Sequence, residues 1–191
     1  MTSDIKEFVF NALLLEDSFK HLEADQGIPL RPTAATTIVE RVERLDYSPR
    51  IIADATRMAS VFTVFFCLEN SVRELITDRL RERHGIDWWE TCVPTKIRTS
   101  VESLKKSEAL HRYHTSRSSE LIGYTTFGNL GQIIISRWED FEDLIPDQAW
   151  ISSRFKDLEM SRNIIMHTGI LAEIEIDRVE SIARDWVRQV G

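Results

Sequence analysis

Glycine, proline and cysteine are all scarce in this chain. Seven Gly and five Pro among 191 residues are too few for a disordered protein. The 42 % hydrophobic and 29 % charged residues are those of a globular one. Cys67 and Cys92 lie 25 positions apart and belong to no CxxC or Cys/His cluster. One disulfide is arithmetically open to them, but a reduced intracellular protein is the expectation. Long apolar runs are missing too. The longest, Met58 to Leu68, has 11 residues, where a bilayer demands about 20. The opening stretch carries Asp4, Lys6 and Glu7 and lacks the basic start and cleavage site of a secretory signal. The expectation is a soluble, cytoplasmic protein with no membrane partner.

Metal and nucleotide signatures are also lacking. His111-x-x-His114 has no Cys or carboxylate at matching spacing for zinc. Gly123, Gly128 and Gly131 precede no Gly-Lys-Ser/Thr, so they form no phosphate loop and serve turns and close packing instead. No cofactor and no metal are expected. Nor is there an internal repeat, or the sustained alternation that strands need.

What is present is helical periodicity. Residues 3 to 23 read as a helix, ended by Gly27-Ile28-Pro29-Leu30-Arg31-Pro32, with a short helix from Thr33 to Leu45 after it. Ser48-Pro49 opens the strongest helix, which runs to about His84 before Gly85. Ile51, Ala55, Met58, Phe62, Phe65, Val72, Ile76 and Leu80 make its apolar stripe. Ile86 to Pro94 reads as a loop whose Trp88 and Trp89 cover the core. A helix is expected near Ile97 to His111, with less regular chain to Gly123. Thr125 or Thr126 caps a helix reaching about Ile145, and Pro146 separates it from one spanning about Asp147 to His167. Gly169 is placed for a left-handed cap. A last helix, roughly Ala172 to Val190, turns Ile174, Val179, Ile182 and Trp186 inward. The fold class is therefore all-α, a helical bundle. An N-terminal helical extension, residues 1–49, precedes a domain of residues 50–191.

Charge is distributed unevenly. The net charge is −7, but Lys96, Arg98, Lys105, Lys106, Arg112 and Arg117 face only Glu102 and Glu108 across their window. That window alone is +4, which leaves −11 for the remainder. A solvated segment and a phosphate-contacting surface both fit this pattern.

Two helices interrupt their own apolar faces. Glu69 and Arg73 fall within the stripe of the long helix. Arg162 falls at the centre of the face formed by Ile151, Phe155, Leu158 and Ile165. A charge at such a position costs several kcal/mol unless it is paired or opens onto a wet cleft. The two faces are expected to meet, with Glu69 paired to Arg162 or Arg73, either as a structural ion pair or as a charged cleft. Asn163 and His167, four apart, project from one side of the helix. Arg162 and His167 are separated by about 140° around its axis, a gap that the length of arginine spans to one phosphate.

The run Arg162-Asn163-Ile164-Ile165-Met166-His167 resembles the signature of the HEPN superfamily: Arg, a polar residue, three or more residues, then His. Leu68 to Ile76, the Asp87-Trp88-Trp89 stretch, and Tyr124 to Leu130 with Trp138 and Phe141 are similar to one HEPN subset. That subset occurs fused to nuclear RNA-surveillance endonucleases and in prokaryotic defence proteins. The similarity covers roughly residues 50 to 190.

This resemblance implies metal-independent RNA cleavage by a homodimer. Arg162 would hold the scissile phosphate, His167 would act as general acid or base, and Asn163 would orient the motif or contact phosphate. Glu69 and Arg73 would support them. Lys96, Arg98, Lys105, Lys106, Arg112 and Arg117 would bind RNA, with His111 and His114 touching phosphate. A toxin or antiviral defence effector follows, with RNA as partner and a neutralising antitoxin or regulator as a second one. A non-catalytic HEPN scaffold and a nucleotide-binding regulator are the alternatives.

Overall fold

Ser48 and Pro49 start the longest helix in the way their chemistry dictates. The Ser48 carbonyl takes the first helical N–H, from Ile52 at 3.2 Å, and Pro49 supplies a preset φ at the first position. The computed structural model describes residues 46–111 and 113–190. The expected helices over residues 3 to 23 and Thr33 to Leu45 lie outside the described residues, as does Arg112. From Arg57 onward the chain forms one compact unit.

Helix α1, Pro49–His84, ends on Arg81, Arg83 and His84, whose charges suit the negative end of the helix dipole. Gly85 follows at φ +77°, where only glycine is free of strain. Met58, Val61, Phe65, Leu68, Val72, Ile76 and Leu80 form its buried stripe. Ile51, Ala55 and Phe62, expected in that stripe, are instead exposed. By length and composition α1 is apolar enough to cross a membrane, yet this stripe belongs to the core of a helical domain.

The segment expected to be a loop contains a short helix, α2, Trp88–Cys92. Both indoles are buried there, packed edge to face with centroids 5.6 Å apart. Helix α3, Thr95–Ala109, buries Ile97 and Val101 and packs against a 3-10 turn, Leu121–Tyr124.

Thr126 then caps α4, Phe127–Ser136. Its hydroxyl accepts from the Asn129 N–H, and the Asn129 side chain accepts from the Thr126 N–H, a reciprocal capping box. The helix stops at Arg137 (φ −127°) and does not reach Ile145. The next residues are held by tertiary bonds that a continuing helix could not reach. Arg79 Nε donates to the Asp140 carbonyl at 2.8 Å, and Arg83 and His84 grip the Asp140 carboxylate at 3.2 and 2.7 Å.

The Asp147 carboxylate caps α5, Gln148–Met166, through the Trp150 N–H at 2.7 Å. Gly131 of α4 allows a close approach, since a Cβ there would lie 3.3 Å from the Phe155 ring. Helix α6, Glu173–Val190, buries Ile176, Val179, Ile182 and Trp186. Ile174 points outward, 70 % exposed, because the buried face begins at Ile176 and Val179. Four rings join four helices through the core: Phe65 to Phe127 at 6.2 Å, Phe127 to Phe155 at 5.7 Å, and Phe155 to Trp186 at 5.9 Å. These spacings lie in the favourable range for offset and edge-on aromatic pairs. Trp186 also donates to Ser71 Oγ at 3.1 Å. Among the described residues there is no strand, and the architecture is an all-α bundle.

Candidate active site

Glu69 is only 8 % exposed, so its charge must be answered from inside the protein. Arg73, one turn on, donates through one terminal nitrogen to Glu69 Oε1 and to the Thr125 carbonyl, the latter at 2.9 Å. Its other terminal nitrogen reaches Asn70 Oδ1 at 3.2 Å. From α5, Arg162 Nε stands 4.0 Å from Glu69 Oε2. One buried carboxylate thus serves two arginines.

Burial pushes the Glu69 carboxyl above its ordinary pKa; Arg73 and then Arg162 oppose this, while Glu159 adds to it. Burial likewise lowers the Arg73 guanidinium, with Glu69 opposing and the positive charges of Arg162 and Arg117 contributing. Two further arginines, Arg162 and Arg117, therefore lie within electrostatic reach of Arg73.

Arg162 keeps about a third of its side chain exposed. His167 is exposed and ends α5; its N–H bonds to the carbonyls of Asn163 and Ile164 at 3.1 and 3.2 Å. Asn163 is exposed as well. After His167, the Thr168 N–H returns to the Ile165 carbonyl at 2.9 Å and the Gly169 N–H to the Ile164 carbonyl at 2.8 Å. This pair of bonds is a Schellman closure. The left-handed residue within it is Thr168, at φ +60°, and not the expected Gly169. Glycine is needed at 169 for space, since a Cβ there would meet Ile164 Cγ2 at 2.6 Å and its carbonyl at 2.9 Å.

The basic window divides in two. Lys96, Lys105 and Lys106 are exposed. Arg98 is occupied by the Val93 carbonyl at 3.1 Å and Thr95 Oγ1 at 3.2 Å. Arg117 pairs with Glu108 at 2.6 Å and stands over the Tyr124 ring at 5.6 Å. His111 and His114 place their rings 6.4 Å apart.

Glu159 was not singled out by sequence, although its spacing three before Arg162 puts it on the same side of the helix. Its Oε2 accepts from the Gly128 N–H at 3.1 Å, at the start of α4, where the helix dipole favours a negative charge. The Thr125 carbonyl is a main-chain group and leaves no sequence signal.

The all-α bundle is consistent with a HEPN domain. Residues 63–191, some two thirds of the sequence, match the Swt1-like HEPN family, and the chain belongs to that family. The match begins within α1 and takes in Glu69, Arg73 and the whole Arg162–His167 motif. No curated protein and no solved structure matches the chain.

Proposed function

We propose that this HEPN domain is a metal-independent endoribonuclease centred on Arg162, Asn163 and His167. The observation that carries the reading is Arg162 itself. Its Nε stands 4.0 Å from a buried carboxylate and about a third of its side chain is exposed, on the same final turns as an exposed histidine.

The chemistry follows from that arrangement. A base takes the proton of a ribose 2′-hydroxyl, whose oxygen attacks the adjacent phosphorus while the bond to the 5′ oxygen breaks. An acid returns a proton to that leaving oxygen. The products are a 2′,3′-cyclic phosphate and a 5′-hydroxyl. Charge builds on the non-bridging oxygens meanwhile, and a prefixed planar guanidinium suits it. His167 takes the acid or base role, Arg162 holds the phosphate, and Asn163 orients the motif or contacts phosphate. Exposed Lys96, Lys105 and Lys106 serve the RNA backbone.

Each protomer supplies one motif histidine, whereas the reaction uses both a base and an acid. A two-fold homodimer brings two to one cleft. Two clamps hold α1 beside the end of α5: Arg162 on Glu69, and the Leu171 N–H on Met58 Sδ at 3.4 Å. On the stretches between them, Phe66 is 60 % exposed, and Phe62, Ile164, Met166 and Ile170 are exposed too. Such apolar exposure beside the motif favours a second copy of the chain as its cover. The family subset that the sequence resembles favours a toxin or antiviral defence role, with a neutralising or regulatory partner.

The test is RNA cleavage by the purified protein in EDTA, wild type beside Arg162→Ala and His167→Ala. Cleavage with 2′,3′-cyclic ends, reduced about 100-fold or more in both variants, is expected. A wild type that cuts no RNA under any condition would sink the ribonuclease reading in favour of a scaffold.

A further inference from the structure

Asn70, Arg73, Glu74, Thr77, Asp78 and Arg81 repeat along α1 at intervals of three and one, which gathers them on one face of the helix. That polar face does not close against the rest of the domain. Opposite it runs the 118–123 segment, and between the two lies a cavity of about 380 Å³, within the range of small-ligand sites. Ser118, Ser119, Glu120 and Ile122 complete its wall.

Arg73 connects this cavity to the candidate active site, because the side chain that lines it also binds Glu69, the partner of Arg162. Two side chains, Arg73 and Glu69, therefore link the cavity to Arg162. One buried polar atom there lacks a protein partner. Arg73 Nε is buried with no hydrogen bond.

The lining excludes a phosphate as occupant. Glu74, Asp78 and Glu120 outnumber Arg73 and Arg81, and ionised carboxylates only accept hydrogen bonds. A phosphate belongs on the arginine side. A neutral group rich in donors belongs within. Single-stranded RNA offers one such group beside every phosphate, an unstacked base read along its Watson–Crick edge.

We propose that this cavity is a nucleobase subsite that takes the base flanking the cleaved phosphate and prefers guanine. Guanine presents N1–H and N2–H side by side, and the pair matches the two oxygens of one carboxylate. Uracil has a single N–H between two carbonyls, which the acidic wall repels. Ile122 gives the ring an apolar surface and the guanidinium of Arg73 or Arg81 a stacking plane. The proposal rests on the ribonuclease reading for its substrate.

The experiment compares cleavage of oligouridine strands holding one guanosine, one inosine or no purine, by wild type, Asp78→Asn and Glu120→Gln. In parallel, binding of guanosine 3′-monophosphate and uridine 3′-monophosphate to each protein is measured by NMR shift titration. Wild type is expected to cut beside guanosine about tenfold faster than beside inosine or uridine. The variants lose that ratio, cutting more slowly beside guanosine, and in wild type the guanosine nucleotide binds more tightly than the uridine one. Cleavage with equal rates at all three bases overturns the subsite and leaves the ribonuclease standing. If nothing is cut, the ribonuclease fails; guanosine-selective binding weakened in the variants then upholds the subsite, and equal or absent binding overturns it too.

Discussion

Glu69 and Arg162, 93 positions apart in sequence, stand 4.0 Å from one another, and the other Glu69 oxygen takes a hydrogen bond from Arg73. Burial raises the pKa of that carboxyl, and the two arginines offset this only in part. In the proposed mechanism its task is therefore orientation of Arg162 rather than stability.

Glu69→Gln tests that division. A carboxyl whose folded pKa is raised contributes stability that is full below its unfolded pKa, about 4.3, and is lost as pH rises through the folded value. Glutamine has no such dependence. Thermal melts of both proteins from pH 4.5 to 7.5 should show the variant gaining on wild type as pH rises. RNA cleavage at pH 7 should fall about tenfold, as Arg162 loses its anchor. A stability difference that stays flat across this range would refute the account.

The turn after His167 predicts two substitutions of opposite sign. Thr168 is a β-branched residue at φ +60°, a conformation that costs an L-residue roughly 1–2 kcal/mol. Thr168→Gly should raise unfolding stability by about 1 kcal/mol. Gly169→Ala forces a Cβ against the Ile164 side chain and carbonyl and should lower it by about 2 kcal/mol. Urea titrations measure both, and equal signs would disprove the geometry of the closure.

The apolar strip beside the motif predicts the oligomeric state. Phe66→Glu replaces an exposed ring with a charge and leaves the buried stripe of α1 untouched. Sedimentation should show the wild type as a dimer and the variant shifted to monomer, with cleavage lost in proportion. A wild type fully active as a dilute monomer would end the dimer proposal.

Asp140 predicts where the early end of α4 gets its stability. Burial pushes its carboxyl up, but hydrogen bonds from His84 and Arg83, together with their charges, outweigh it and hold the pKa below the ordinary value. A lowered carboxylate contributes stability above its unfolded pKa, about 3.9, and loses it as pH falls through the folded value. Asp140→Asn should cost about 2 kcal/mol at pH 7 and progressively less toward pH 3. Denaturant melts at pH 7, 5 and 3 should show that gap closing, and a constant one would show that the ion cluster contributes nothing.

Much of this domain was legible in the sequence because its information is local. The period of α1, the Ser48-Pro49 start, the Gly85 stop, a cap at Thr125 or Thr126, a helix start near Asp147 and the spacing of Asn163 and His167 each depend on neighbours within a few residues, and so does the all-α class. The charges interrupting two apolar faces were legible too, since an ionised group in a greasy stripe demands a partner.

Which partner it found depended on contacts between segments distant in the chain. Only the tertiary structure decided that Glu69 binds Arg73 directly and faces Arg162 at longer range, and that Glu159 turns to the start of α4. It broke α4 at Arg137 because Arg79, Arg83 and His84 hold Asp140 from another helix. It turned Phe62 and Ile174 outward because helix packing chooses one side of an apolar stripe that periodicity leaves broad. It also left one polar face of α1 open, and no sequence pattern marks a gap between two segments that fail to touch.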